Sequence, residues 1–186
     1  MGSGIVQTFA QASYDVIMRD IEESFVKRGM AIITKNLDKS IKKGKITVDA
    51  KNEILSRITT TTDINLAKDA DIVVEAAVEN MIIKKKIFAE LDGICKNETI
   101  LATNTSSLSI TDVASATKRP DKVIGMHFFN PVTVMKLVEV IKGILTSDET
   151  KTTVIEVTKI LGKDPIEVKE APGFVVNRIL IPMINE

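Results

Sequence analysis

Residues 99–131 read TILATNTSSLSITDVASATKRPDKVIGMHFFNP. The segment opens on one apolar run, Thr99 to Thr103, and closes on another, Lys122 to Phe128. Ile110 to Ala116, between them, has the pattern of a short helix. Short apolar runs bounded by turn residues suit buried strands. Strand, helix and strand in this order make a crossover unit, and its repetition is what yields a parallel sheet.

The alternation continues in both directions. Downstream, Met135 to Ile141 reads as a strand, Asp148 to Leu161 as a helix and Pro165 to Val168 as a strand. Pro172-Gly173 interrupts the chain, and Phe174 to Asn185 begins a helix. Upstream, Ile82 to Ile94 reads as a helix. Asp71 to Ala76 (DIVVEA) reads as a buried strand from its continuous apolar run. Further back, Ile5, Phe9 and Ala12 have helical spacing, so residues 3–12 read as a helix, followed by a strand over Tyr14 to Arg19. Residues 21–43 form a long helical pattern with Met30, Ile33, Leu37 and Ile41 on one face and Lys35, Lys39, Lys42 and Lys43 on another. Gly44 stands where a helix stop belongs. Val48 to Arg57 is a further helix, begun by Thr47 or Asp49, and Arg57 to Thr61 a strand. The expected fold class is therefore α/β, with a doubly wound, mostly parallel sheet. There is no internal repeat and no low-complexity linker.

Composition narrows the function classes. The 186 residues carry 25 Lys plus Arg against 25 Asp plus Glu, which argues against a nucleic-acid coat or an anionic-membrane binder. One Cys excludes an internal disulfide and a multi-Cys metal site, so no metal is expected. One His confines imidazole chemistry to position 127. No segment reaches the length of a membrane span and no secretory signal opens the chain, so the expected location is cytoplasmic.

A dinucleotide fold carries a glycine-rich turn after its first strand and an acidic residue at the end of its second. Gly2 precedes a helix, and eighteen residues later Asp20 ends a strand. Asp20 suits the hydroxyls of an adenosine ribose, which favours NAD over a 2′-phosphorylated cofactor; Arg19 beside it tempers that preference. Gly2 as an ordinary terminal residue, and Asp20 as a cap for the helix of residues 21–43, is the alternative.

Four motifs then stand in order: Asn104-Thr105-Ser106-Ser107, Gly125-Met126-His127-Phe128-Phe129-Asn130-Pro131, Glu139 in LVEVI, and Ala171-Pro172-Gly173-Phe174-Val175-Val176-Asn177-Arg178. Together they resemble the short-chain L-3-hydroxyacyl-CoA dehydrogenases, and within that family the bacterial, clostridial-type 3-hydroxybutyryl-CoA dehydrogenases. The resemblance spans essentially the whole chain. It implies a Rossmann-like NAD-binding domain over residues 1–174, with residues 175–186 starting a helical C-terminal domain that makes the family oligomeric. It implies hydride exchange between NAD(H) and C3 of a 3-hydroxyacyl-CoA, in fatty-acid or butanoate metabolism.

By the same resemblance His127 is the general acid/base and Glu139 its partner. Ser106 and Asn177 serve the reacting oxygen. Gly2 and Asp20 belong to the cofactor site, with Glu79, Lys84, Ser106 and Asn130 along the nicotinamide half. Lys39 and Lys43 would hold the CoA phosphates, and Lys84 would reach the CoA as well. These residue types suit the chemistry. Imidazole titrates near working pH, a carboxylate orients it and stabilises its protonated form, and hydroxyl or amide donors serve an oxygen gaining charge.

Each residue also has a plainer reading. His127 beside two Phe fits a satisfied core histidine. Ser106 and Ser107 fit caps for the helix after Leu108, Asn177 a buttressed turn, and the lysines a solvated helix face. Phe128 and Phe129 fit core or pocket wall, and Cys95 a buried bystander. Glu139 in an apolar strand demands a partner, either His127 or a nearby Lys.

Two other functions compete. One is a related β-hydroxyacid dehydrogenase acting on a free acid. The other is a partial domain without activity. Relative to the family pattern, the chain is expected to start roughly ten residues late, inside the cofactor turn, and to stop about a hundred residues early, short of the C-terminal domain. On that expectation NAD binding by this chain alone is weak.

Overall fold

The computed structural model describes residues 1–185; the last position of the expected C-terminal segment, Glu186, lies outside the described residues. The chain divides into two compact units. The first comprises Met1–Leu66 with Asn130–Met135, and the second Ala67–Phe129 with the residues from Lys136 onward.

In the first unit α1 (Gly2–Gln11), β1 (Val16–Arg19), α2 (Glu23–Lys42), α3 (Val48–Ser56) and β2 (Ile58–Thr61) follow in order. β1 and β2 pair in parallel, from Val16 opposite Ile58 to Arg19 opposite Thr61. Ala10, Met18, Val26, Ile33, Leu37 and Ile54 form the core, with Val6, Val16, Met30 and Ile58 packed against it. Burying one such aliphatic side chain stabilises by about 1.5–3 kcal/mol. The apolar face of α2 is thus the one its periodicity marks, and Lys35, Lys39, Lys42 and Lys43 stay exposed. Thr47, not Asp49, caps α3, accepting the Ala50 amide at 3.1 Å. Asp20 does not cap α2: the capping position is Glu22, and the Asp20 carboxylate accepts its neighbour Ile21 instead.

In the second unit β3 (Ile72–Glu75), α4 (Met81–Ile94), β4 (Ile100–Thr103), α5 (Ile110–Ala114), β5 (Val123–Phe128), β6 (Leu137–Lys142), α6 (Asp148–Ile160), β7 (Asp164–Lys169) and α7 (Val176–Asn185) follow. Five strands line up in the order β3-β4-β5-β6-β7. Asn80, Ser109 and Ser147 cap α4, α5 and α6 through their side chains. The Ser106 and Ser107 hydroxyls are therefore not the caps of α5. The architecture is α/β and Rossmann-like, with mostly parallel pairing.

Three features differ from the expectation. The strands form a two-stranded and a five-stranded sheet rather than one. β6 runs antiparallel to β5, since the short connection between them cannot hold the crossover helix that a parallel return requires. β3 is half-buried rather than buried, because it lies at an edge of its sheet; only Glu75 in it is fully enclosed.

Candidate active site

The site in the second unit is built on the ends of β3, β4 and β5, on β6, and on the start of α7. His127 and Glu139 are a directly opposed pair in the β5–β6 ladder. Glu139 is wholly buried and His127 is 5% exposed. Glu139 Oε2 lies 2.8 Å from His127 Nδ1. A carboxylate only accepts, so Nδ1 carries the proton and Nε2 of the neutral ring is left to accept. Ser106 Oγ stands 3.1 Å from that Nε2, positioned to donate.

A buried carboxylate is tolerable only when its oxygens are satisfied. The second Glu139 oxygen accepts the amides of Val175 and Val176, each at 3.0 Å. These amides open α7, where the helix dipole favours negative charge. The chain reaches this geometry through a sharp reversal. Gly173 has φ +73° and Phe174 φ +51°, both left-handed. A Cβ at Gly173 would be crowded, standing 3.2 Å from the Arg178 backbone nitrogen. Phe174 accepts the strain while burying its ring 5.8 Å from the imidazole centre, and Phe129 stands 4.6 Å away. Asn177 Nδ2 donates to the Ser106 carbonyl at 3.3 Å. His127, Glu139, Ser106 and Asn177 are therefore one connected group.

Glu79 and Lys84 join it from the β3–α4 side. Glu79 Oε1 accepts the Ser106 amide at 2.9 Å, the Thr105 hydroxyl and the Ser107 hydroxyl. Burial pushes the Glu79 pKa upward, but the Thr105 hydroxyl, the Ser106 amide and the Lys84 ammonium prevail and hold it below the ordinary carboxylate value. Lys84 is 1% exposed, bonded to both Glu75 oxygens at 2.8 and 3.0 Å, with Glu79 Oε2 at 3.5 Å. Lys84 is thus held between two carboxylates, one enclosed and one partly exposed.

The remaining candidates belong to the first unit. Asp20 is exposed at the end of β1. Lys39 and Lys43 are exposed at the C-terminal end of α2, and Asn130 is exposed. Gly2 lies inside the first turn of α1, not in a turn before it, and a Cβ there would meet nothing. The glycine that packing demands is Gly4, whose Cβ would stand 2.9 Å from Val132 Cβ. The first helical hydrogen bonds of α1 are donated by Gly4 and Ile5, to Met1. The amides of Gly2 and Ser3 precede them, as a phosphate-accepting helix start requires. With the exposed Asp20 carboxylate as a diol acceptor, these residues fit a dinucleotide.

Sequence reasoning missed Glu75, Asn104, Thr105 and Glu170. Asn104 Oδ1 accepts the Phe128 amide at 2.8 Å, tying the end of β4 to that of β5. Glu170 accepts the Ser109 and Thr111 hydroxyls and the Thr111 amide, joining the end of β7 to the start of α5. Asn104 and Thr105 stood in a quoted motif without an assigned role, and Glu75 carried a signal as a charged residue closing an apolar strand; Glu170 carried none. Cys95 is buried, with its thiol on the Ala67 carbonyl. Among the described residues no cluster is suited to a metal ion, and no helix is long and apolar enough to cross a membrane.

Residues 1–171 match the family described as 3-hydroxyacyl-CoA dehydrogenase, NAD binding domain. The chain is 59% identical, over all 186 residues, to a 3-hydroxybutyryl-CoA dehydrogenase of Clostridioides difficile, and spans 66% of that relative's length. It is 40% identical to the 3-hydroxyadipyl-CoA dehydrogenase of Escherichia coli, covering 100% of this chain and 39% of that one. The crystal structure of an (S)-3-hydroxybutyryl-CoA dehydrogenase from Ralstonia eutropha superposes with a TM-score of 0.98 at 51% identity, covering all of this chain and 65% of that one.

Proposed function

Because this chain belongs to the family of 3-hydroxyacyl-CoA dehydrogenase NAD-binding domains, we propose that it serves the interconversion of a 3-hydroxyacyl-CoA and its 3-oxoacyl-CoA, with 3-hydroxybutyryl-CoA as the substrate. One observation carries the reading: the only imidazole in the chain holds Glu139 on Nδ1 and Ser106 on Nε2. NAD, when bound, supplies the hydride acceptor, or NADH the donor.

His127 Nε2 takes the proton of the C3 hydroxyl in the oxidation direction and returns it in reduction. Glu139 keeps the ring in the tautomer that leaves Nε2 free, and balances the imidazolium when it forms. Ser106 Oγ and Asn177 Nδ2 are donors for the substrate oxygen as it gains charge. Phe129 and Phe174 exclude water from the ring. Gly2 and Asp20 serve the pyrophosphate and adenosine ribose, Glu79 and Asn130 the nicotinamide half, and Lys39 and Lys43 the CoA phosphates. Lys84 serves by holding Glu79. Acyl-CoA is the small-molecule partner, a cytoplasmic location suits it, and self-association follows the family.

The test is NADH consumption with acetoacetyl-CoA against free acetoacetate. Turnover of the thioester alone supports the reading. Equal turnover of the free acid overturns it in favour of a β-hydroxyacid dehydrogenase.

A further inference from the structure

Glu75 closes β3 directly opposite Thr103, the last residue of β4. Its side chain is 3% exposed and its carboxylate is saturated: it accepts the Ala77 amide at 2.5 Å, the Thr103 hydroxyl at 2.7 Å and two bonds from Lys84. The Glu75 backbone carbonyl accepts the Asn104 amide at 2.7 Å. Among the described residues Lys84 has one other anion beside it, Glu79, and it is Glu79 that receives the Ser106 amide.

We propose that Glu75 is a positioning residue: by fixing the Lys84 ammonium it fixes Glu79, and through Glu79 the backbone of Ser106 and the approach of its hydroxyl to His127. Ser106 is held at three points. Its amide lies on Glu79, its carbonyl on Asn177 and its hydroxyl on His127. The amide anchor leads back to the enclosed Glu75–Lys84 pair, and the hydroxyl anchor to the His127–Glu139 pair. Remove Glu75 and the Lys84 ammonium, enclosed and deprived of its nearest anion, must draw Glu79 inward or drag itself out to solvent. Either movement pulls the carboxylate from the Ser106 amide. A buried pair kept for stability alone can be exchanged for neutral groups at little cost to folding, which separates the two roles.

The proposal rests on the dehydrogenase reading only for its kinetic readout. The principal variant is the neutral double exchange Glu75→Gln with Lys84→Met. Melting temperature reports folding. The Ser106 amide and the ring nitrogens of His127, the single histidine, report positioning by NMR. The double variant is expected to melt within about 5 °C of the wild type. Its Ser106 amide and His127 Nε2 resonances move, and kcat with acetoacetyl-CoA falls about tenfold with KM little changed.

A double variant with wild-type resonances and wild-type kcat overturns the proposal. Shifted resonances in a protein whose wild type turns over no thioester uphold the positioning role and sink the dehydrogenase reading. If the double variant fails to fold, Glu75→Asp decides. It keeps the charge one methylene short, and an unmoved Ser106 amide there overturns the proposal.

Discussion

Glu139 and His127 face each other across antiparallel β6 and β5, with a carboxylate oxygen 2.8 Å from Nδ1. The backbone ladder sets this pair, so its geometry does not depend on a loop. The other carboxylate oxygen gathers the amides of Val175 and Val176, and one residue therefore orients both the imidazole and the start of α7.

On the proposed mechanism, exchanging Glu139→Gln removes the charge that balances an imidazolium and admits the wrong ring tautomer. With acetoacetyl-CoA and NADH, kcat is expected to fall by about a hundredfold to ten-thousandfold. Steady-state rates check this, and a loss of under about threefold would remove Glu139 from the mechanism.

Ser106→Ala deletes the hydroxyl at His127 Nε2 but leaves the backbone amide on Glu79. The expected loss in kcat is about ten- to a hundredfold, as for one missing donor to a developing oxyanion. Circular dichroism should show an unchanged fold. An undiminished kcat would leave Ser106 a purely structural residue.

Gly173→Ala forces a Cβ into left-handed backbone and to within 3.2 Å of the Arg178 nitrogen. Destabilisation of about 1–2 kcal/mol is expected in urea unfolding. Activity should suffer too, because the reversal aims the Val175 and Val176 amides at Glu139. A stability equal to wild type would contradict the strain argument.

Burial raises the Glu79 pKa, but hydrogen bonds from Thr105 and Ser106 and the charge of Lys84 outweigh it, and the folded value lies below the ordinary 4.5. A depressed carboxylate contributes stability that is present above its unfolded value and lost as pH falls through the folded one. The Ser106 amide resonance should therefore move as pH falls with a midpoint below 4.5. A midpoint at or above 4.5 would refute the assignment.

Cys95 is the only thiol, and burial pushes its pKa up, with Asp92 adding to the rise and Arg119 opposing it. A disulfide reagent at mildly alkaline pH should label native protein slowly and urea-unfolded protein at once. Equal rates would show an open thiol.

Local pattern alone carried the element order. The period of Ile33 and Leu37 marked the buried face of α2, Thr47 or Asp49 announced α3, and the runs in residues 71–76 and 99–103 announced β3 and β4. The motifs brought His127, Glu139, Ser106 and Asn177 into one candidate set. Hydrogen-bonding period, capping and chain stiffness act over a few residues, so sequence suffices for them. Partner choice among buried charges acts through space. That Glu139 meets His127 rather than a Lys follows from the antiparallel register of β5 and β6, which a short connection imposed on an otherwise parallel pattern. That Lys84 turns inward to Glu75 follows from the closeness of two strand ends and a helix start. A buried ion must find its counter-charge within a few ångströms, and only the folded chain determines which groups lie that near.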